Sequence, residues 1–205
     1  MGLDVMMQNE FLSMGGDCQP AHHVRRLTNV STAGVFDWLI TPIRSIIPMI
    51  ETHFEDSFEH NQMSWLEVDD GWHVTDERYG VICMHHFKSR DEQHINTIVS
   101  DIRRRGLRLI ERLKARKPLV FVRRWHTLDV DAGVDEALKL HRFLHSHNAN
   151  SVFLYLQSQS DLPPHTDGNF LICHNPQFSE EWTGDSSLYD QYFAMADQLV
   201  LDVRK

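Results

Sequence analysis

The sequence predicts an α/β fold, a layered domain with a mostly parallel central sheet flanked by helices and a small antiparallel hairpin elaboration. Residues 118–157 follow a strand–helix–strand pattern of the length expected for a parallel βαβ unit. Residues 10–27 repeat the strand-to-helix step, and Asp70-Gly71 is a hairpin signal between two strand-like segments. We expect the whole chain, residues 1–205, to form one domain.

The individual elements follow from the spacing of apolar residues. A short apolar run ending in Gly15-Gly16 predicts a first strand and a tight turn, which makes Asp17 the expected N-cap of the first helix. Strands show branched runs or alternation, and helices show apolar residues three and four positions apart. By these criteria we predict strands over residues 10–15, 64–68, 71–75, 79–87, 119–125, 151–157 and 169–175, and helices over 17–27, 41–58 (bent at Pro48), 91–116, 134–147 and 187–198.

Composition narrows the classes of function. The net charge of −9 argues against nucleic-acid binding, and the 41% hydrophobic content is that of a globular protein. We find neither a signal peptide pattern nor an apolar run near the roughly 20 residues of a membrane span. Three scattered cysteines do not form a disulfide framework. We therefore expect a soluble cytoplasmic protein without a membrane partner, and its oligomeric state stays open.

Fourteen histidines raise the hypothesis of a metal-dependent hydrolase. His141 and His145 share one face of a predicted helix, but Arg142 stands where the helix of a zinc protease has Glu. The other histidines are too dispersed for a recognisable ligand set. We therefore predict no metal ligands and no cofactor, and keep the metal-dependent hydrolase as an alternative.

Reactive side chains follow several of the predicted strands. Open α/β sheets form their sites at the carboxyl ends of the strands, next to helix N-termini. If the strands run parallel, one edge of the sheet carries a thiol, several imidazoles and arginine. The residues concerned are Cys18, His85, His86, Arg123, Arg124 and His174.

Cys18 is the candidate nucleophile, because it opens a helix directly after a glycine turn. The partial positive charge of a helix N-terminus is expected to lower the pKa of a thiol there. Gly15 and Gly16 would let a substrate carbonyl approach backbone N–H groups, as in an oxyanion hole. The alternative is that Cys18 is a small residue buried under a turn. Cys83 and Cys173 lie inside apolar strands and are predicted to be core residues.

The histidine partner of Cys18 is predicted from the strand ends. His85 is the expected general base and acid, and His174 is its rival. Because successive side chains of a strand point to opposite faces, at most one of His85 and His86 is expected to enter the site. Arg123 is expected to hold an anionic group of the substrate.

Four motifs of this chain together resemble a mainly bacterial family described as "putative papain-like cysteine peptidases". They are FLSMGGDCQPA (11–21), FDW (36–38), MHHF (84–87) and FVR (121–123), in the same order along the chain as in the family. The resemblance implies a Cys nucleophile at Cys18, a catalytic His at His85 and a functional role for Asp37. The chain departs from the family pattern at Val35, where the family has Pro, and at His86, where it has Asp.

Three functions are compatible with these observations. The first is a thiol-dependent hydrolase or acyl-transfer enzyme acting on a peptide or small molecule, with Cys18 as nucleophile, His85 as base and Asp37 orienting the imidazole. The second is a non-catalytic module that binds a phosphate- or sugar-containing ligand through Arg123, Arg124 and the first helix N-terminus. The third is the metal-dependent hydrolase.

Overall fold

The computed structural model describes residues 7–28, 32–69, 71–129, 133–157, 165–174 and 183–203. It consists of two sheets and five α-helices within these ranges. The predicted α/β class is confirmed. Across the same ranges, no helix combines the length and the apolar character that crossing a membrane requires.

The larger sheet has five strands in the order β1-β6-β7-β9-β8, and its first four strands run parallel. Strand β8 is antiparallel to β9 and forms within a segment predicted to be a loop. The predicted βαβ unit is confirmed as β6, α4 and β7. The strands of this sheet are β1 (Glu10–Ser13), β6 (Leu119–Arg124), β7 (Ser151–Gln157), β8 (His165–Asp167) and β9 (Phe170–His174).

Helices cover both faces of this sheet because its buried strands are apolar at consecutive positions. Alternate residues of β6 enter different cores: Val120 and Val122 pack with α1 and α5, whereas Leu119 and Phe121 face the side of the other helices. The five helices are α1 (Cys18–Thr28), α2 (Ile43–Glu51), α3 (Glu92–Lys114), α4 (Gly133–His147) and α5 (Ser186–Val203).

The second sheet is antiparallel, with the order β2-β5-β4-β3. The predicted hairpin is present as β3 and β4, but the elaboration is larger than expected because two further strands extend it. The strand that carries His85 and His86 belongs to this sheet and not to the parallel one. Its strands are β2 (Leu39–Ile40), β3 (Met63–Val68), β4 (Gly71–Asp76) and β5 (Val81–Phe87).

Helix α2 is shorter than the apolar spacing predicted. It ends at Glu51 and contains Pro48, and His53, Phe54 and Phe58 that follow it have positive φ angles. Phe54 and Phe58 are nevertheless fully buried. The apolar periodicity therefore predicted the burial of this segment correctly but not its conformation. After Glu51 the backbone is no longer helical, and this places the rings of Phe54 and Phe58 in the core.

Arg123 joins the two sheets at the carboxyl end of β6. Its side chain is fully buried and forms an ion pair with Asp129 at 2.7 Å. Its guanidinium also donates to the carbonyl oxygens of Met14 (2.9 Å), after β1, and of Thr41 (2.7 Å), after β2. Asp129 in turn accepts from the N–H of Ile43, the first residue of α2, at 2.7 Å. This network fixes the ends of β1 and β2 relative to β6.

Candidate active site

A cavity of about 730 Å³ lies where the carboxyl end of β1 meets the second sheet. It brings residues from the start of α1, from β2 and from β5 together, although these elements are far apart in sequence. The lining residues are Asp17, Cys18, Gln19, Trp38, Ile40, Met84, His85 and His86. Cys18 and His85, the predicted nucleophile and base, therefore border the same cavity.

The Gly15-Gly16 turn sets the position of Cys18. Both glycines have positive φ angles, 72° and 101°, which favour glycine. The turn is held against β6, since the N–H of Met14 donates to Val122 and the N–H of Arg124 donates to the carbonyl oxygen of Gly15. The chain can therefore reverse tightly after β1 and start α1 at Cys18.

Asp17 caps α1, as predicted. Its Oδ1 accepts from the N–H of Gln19 at 2.9 Å, which satisfies one of the donors that a helix start leaves without an intrahelical acceptor. Its Oδ2 pairs with Arg124 at the end of β6. The N–H of Cys18 itself is the first of the helix, so an intrahelical acceptor is out of its reach.

The pKa of the Cys18 thiol is raised, which is the opposite of the predicted direction. Partial burial of the sulfur is the larger cause, and the negative charge of Asp37 is the second. Both effects disfavour the thiolate. Cys18 is therefore a neutral thiol at neutral pH, and its activation requires a base that removes the proton.

The three consecutive residues of the Phe36-Asp37-Trp38 motif have different surroundings and different contacts. Phe36 is fully buried in the core. Asp37 is buried and its Oδ2 accepts from Arg25 (3.2 Å) and from the N–H of Gly34 (2.9 Å). Trp38 lines the cavity, and the Arg25 guanidinium lies 5.4 Å from the centre of its ring. Asp37 thus contacts Arg25 on α1 and acts on Cys18 through its charge.

Trp38 has a φ of 65°, a left-handed conformation that is rare for a bulky side chain. Such a backbone costs about 1–3 kcal/mol and persists only where the surroundings impose it. Here the neighbouring residues Phe36 and Leu39 are buried on either side. The strained backbone turns the indole toward the cavity.

His85 and His86 both border the cavity, so the expectation that only one of them would enter the site is wrong. The reason is a β-bulge. Val74 pairs with Cys83 and Trp72 pairs with Phe87, so three residues of β5 oppose a single residue of β4. A bulge breaks the alternation of side chains and re-aims them. His85 is exposed to solvent, whereas His86 is half-buried and lies 3.1 Å (Nδ1) from the Cys83 sulfur.

The two arginines predicted to bind an anion are both engaged by carboxylates. Arg123 is fully buried against Asp129 and two carbonyl oxygens, so its guanidinium is shielded from any ligand. Arg124 is also buried and pairs with the helix cap Asp17. The structure therefore gives both residues a positioning role, and the anion-binding module loses the charges on which that hypothesis depended.

His174 is the last residue of β9 and pairs with Gln157 at the carboxyl edge of the sheet. Its side chain lies outside the described residues, so its proposed role stays a prediction. Within the ranges that the structure describes, no three His, Cys, Asp or Glu side chains come together as potential metal ligands. Cys173 is buried as predicted, and Cys83 is buried but contacts His86.

Sequence reasoning missed several lining residues. Ile40 and Met84 are ordinary apolar positions, and only the pairing of β2 with β5 brings them to the cavity. Trp38 carried a usable signal, since it follows the candidate residue Asp37 in a recognised motif. Gln19 carried a weaker one as the neighbour of Cys18; its Oε1 accepts from the Tyr189 hydroxyl at 3.1 Å.

Comparison with known proteins gives one match. A family model described as "Putative papain-like cysteine peptidase (DUF1796)" matches residues 9–154. This range includes Cys18, Asp37 and His85. Neither the curated proteins nor the solved structures give a significant match. Because the matched range is well over half of the chain and contains the cavity residues described above, the chain belongs to this family.

Proposed function

We propose that the protein is a thiol-dependent hydrolase in which Cys18 is the nucleophile and His85 the general base and acid. The proposal is carried by one observation: Cys18, at the N-terminus of α1, and His85, on the bulge of β5, border the same cavity. Membership of a family described as papain-like cysteine peptidases supports a thiol nucleophile. The reaction is hydrolysis of an amide or ester, or transfer of the acyl group.

The raised pKa of Cys18 makes proton removal part of the reaction. His85 takes the proton from the Cys18 sulfur as the sulfur attacks, because imidazole is the side chain best suited to exchange a proton near neutral pH. His85 is exposed at the rim of the cavity. The proton therefore moves between two groups of one site, and the thiolate forms only when a substrate can consume it.

The acyl chemistry then follows in two stages. The sulfur forms a bond to the carbonyl carbon, and the C=O electron pair moves to the oxygen, where the N–H of Cys18 can donate to it. The tetrahedral intermediate collapses with loss of the amine or alcohol, which receives its proton from His85. The resulting thioester is hydrolysed by water, which His85 activates in its turn.

The walls of the cavity favour an uncharged, partly apolar acyl group. Trp38, Ile40 and Met84 supply apolar surface, and the single carboxylate of the lining, Asp17, is already paired with Arg124. Gly15 and Gly16 are not among the lining residues: Gly15 packs against Thr41 and its N–H donates to Ser13, and Gly16 packs against the carbonyl oxygen of Arg124. A peptide segment or a small acyl compound with an apolar group fits these walls.

Asp37 acts in this proposal as a fixed negative charge beside Cys18. It raises the pKa of the Cys18 thiol. Its hydrogen bonds go to Arg25 and Gly34, so it acts on Cys18 by charge and holds Arg25 against Trp38.

The test uses p-nitrophenyl acetate, which acylates reactive thiols and releases coloured p-nitrophenolate. Wild-type protein is expected to give a burst of about one equivalent and a thioester that peptide mass spectrometry places on Cys18. Cys18→Ala should remove the burst, and His85→Ala should slow it by about 10²–10⁴-fold. Cys173→Ala, which removes a buried strand thiol, is the matched control and should behave as wild type.

Two outcomes would overturn the proposal. One is acetylation of Cys83 or Cys173 in place of Cys18. The other is a Cys18→Ala variant that releases p-nitrophenolate at the wild-type rate. Hydrolysis of a peptide mixture, followed by the same variants, then separates amide from ester chemistry.

A further inference from the structure

The bulge of β5 contains a second thiol–imidazole contact, which the proposed reaction does not use. The Cys83 sulfur lies 3.1 Å from Nδ1 of His86. Cys83 is fully buried, whereas His86 borders the cavity of Cys18. Because Nδ1 is taken up by the contact with the buried sulfur, Nε2 is the second polar ring atom of His86.

The surroundings of the sulfur decide which atom of this contact carries the hydrogen. The backbone N–H groups of His85 and His86 both lie against the Cys83 sulfur and lower its pKa, so its lone pairs already face donors. The thiol hydrogen is then the part of the sulfur group that is available to point at Nδ1. Imidazole nitrogen is also a much better acceptor than sulfur. These surroundings favour a thiol S–H that donates to Nδ1.

Both partners are uncharged. Burial raises the pKa of the Cys83 thiol above its ordinary value despite those N–H groups. Burial, Arg105 and His85 together lower the pKa of His86. A thiolate–imidazolium pair would require two charges in a buried place, which is costly. His86 is thus a neutral imidazole at neutral pH.

We propose that Cys83 holds His86 in the tautomer that carries its proton on Nε2, and that this Nε2–H is a fixed hydrogen-bond donor for the carbonyl oxygen of a substrate attacked by Cys18. The first half concerns the protein alone, and the second half rests on the proposed function. Cys83 is a positioning residue, because it acts only through His86.

The two neighbouring histidines have different roles in this proposal because their surroundings differ. His85 is exposed and exchanges a proton with Cys18, whereas His86 keeps its proton and only donates a hydrogen bond. When the sulfur attacks, negative charge develops on the carbonyl oxygen. A preorganised neutral donor in a partly buried site stabilises that charge without giving up its proton.

The tautomer is measured by long-range ¹H–¹⁵N correlation on ¹⁵N-labelled protein. Wild-type His86 should show a pyrrole-type Nε2 and a pyridine-type Nδ1. Cys83→Ser keeps a hydroxyl donor and should preserve this pattern, whereas Cys83→Ala should shift it toward a mixture of tautomers. Cys173→Ala removes another buried strand thiol and should leave the His86 signals unchanged. A wild-type His86 protonated on Nδ1 would overturn the proposal.

The role of the donor is measured by two reactions of Cys18 that differ in one respect. Acylation by p-nitrophenyl acetate develops an oxyanion, whereas alkylation by iodoacetamide displaces iodide from a CH₂ group and develops none. His86→Phe should slow acylation by about 100-fold, the range found for single oxyanion donors, and change alkylation by less than about 3-fold. His86→Gln, which restores an N–H donor, should recover part of the acylation rate.

The outcomes separate this inference from the proposed function. If His86→Phe slows both reactions equally, the histidine shapes the cavity or the proton transfer, and the donor role is wrong. If the wild-type tautomer is as expected but Cys18 fails to acylate, the proposed function fails while the Cys83–His86 arrangement stands. If Cys18 acylates and His86→Phe leaves the rate unchanged, only the donor role is overturned.

Discussion

Gly16 lies directly against the carbonyl oxygen of Arg124 at the end of β6. A Cβ placed on Gly16 would stand 2.0 Å from that oxygen, far inside any permitted contact. The glycine turn before Cys18 is therefore packed onto the backbone of the neighbouring strand. This contact explains why the start of α1, and with it the thiol, is held at the carboxyl edge of the parallel sheet.

Gly16→Ala is expected to destabilise the protein by about 3 kcal/mol or more, because the new Cβ meets backbone and φ is positive. Gly168→Ala is the matched control: its φ of 56° is also positive, but its Cβ would have nothing within 4 Å, so it should cost about 1 kcal/mol. Urea unfolding midpoints give both values. Equal losses in the two variants would show that the contact with Arg124 is unimportant.

Arg123→Met should reduce the free energy of unfolding by about 3–5 kcal/mol, because it leaves the Asp129 carboxylate buried and unpaired. The double variant Arg123→Met/Asp129→Leu should be less destabilised than the sum of its single variants. Lys139→Met breaks an exposed pair with Glu136 and should leave the free energy of unfolding close to the wild-type value. Strict additivity in the double-mutant cycle would contradict the assigned role of Arg123 as a partner of Asp129.

The stability of the fold should decrease in acid because of His23. This side chain is fully buried between α1 and α5, stacks on Tyr189, and contacts the Thr183 carbonyl oxygen at 2.7 Å through Nε2. Burial is the main cause that lowers its pKa from 6.5 to about 4. The unfolded chain therefore binds the proton more readily than the folded protein does. The stabilisation that neutral His23 gives the fold is complete above pH 6.5 and is lost as the pH falls to about 4.

This loss amounts to at most about 3.5 kcal/mol, since one pKa unit corresponds to about 1.4 kcal/mol. His23→Phe keeps an aromatic ring against Tyr189 and should flatten the dependence of unfolding free energy on pH between 4 and 6.5. His60→Phe replaces an exposed histidine and should keep the wild-type dependence. A wild-type slope in the His23 variant would refute the assignment.

Asp37→Asn should make Cys18 more reactive toward iodoacetamide near neutral pH. The carboxylate raises the pKa of the thiol, so its neutral replacement increases the thiolate fraction, with an expected rise of a few-fold in the alkylation rate. The whole rate–pH profile should move to lower pH. Glu111→Gln, which changes an exposed carboxylate of α3, is the control and should leave the profile in place. Slower alkylation of the Asp37 variant would contradict an electrostatic effect on the thiol.

Much of the fold could be predicted because apolar periodicity is a local property. The βαβ unit over residues 118–157, the helix over residues 91–116 and the helix start at Asp17 are all confirmed. The predictions failed where pairing between segments that are distant in sequence determines the structure. Strand β5 has the same local pattern as a parallel strand, but its pairing with β2 and β4 places it in the antiparallel sheet.

The sequence predicted which residues lie at the candidate site more reliably than it predicted what each residue does there. Cys18 and His85 do border one cavity, but they come from two different sheets and not from one shared edge. Arg123 was recognised as exceptional, and only its burial against Asp129 shows that it positions the chain. The pKa of Cys18 is raised by burial and by the charge of Asp37, and both causes depend on how the chain packs around the thiol.

The sequence by itself determined the α/β class, the glycine turn that starts α1 at Cys18, and His85 as a candidate, because these depend on local spacing and on residue chemistry. Asp37 became a candidate through the resemblance to the family. Only the tertiary structure decided which imidazoles border the cavity of Cys18. The bulge in β5 turns both His85 and His86 toward the cavity, since three residues oppose one on β4 and the strict alternation of a strand is lost.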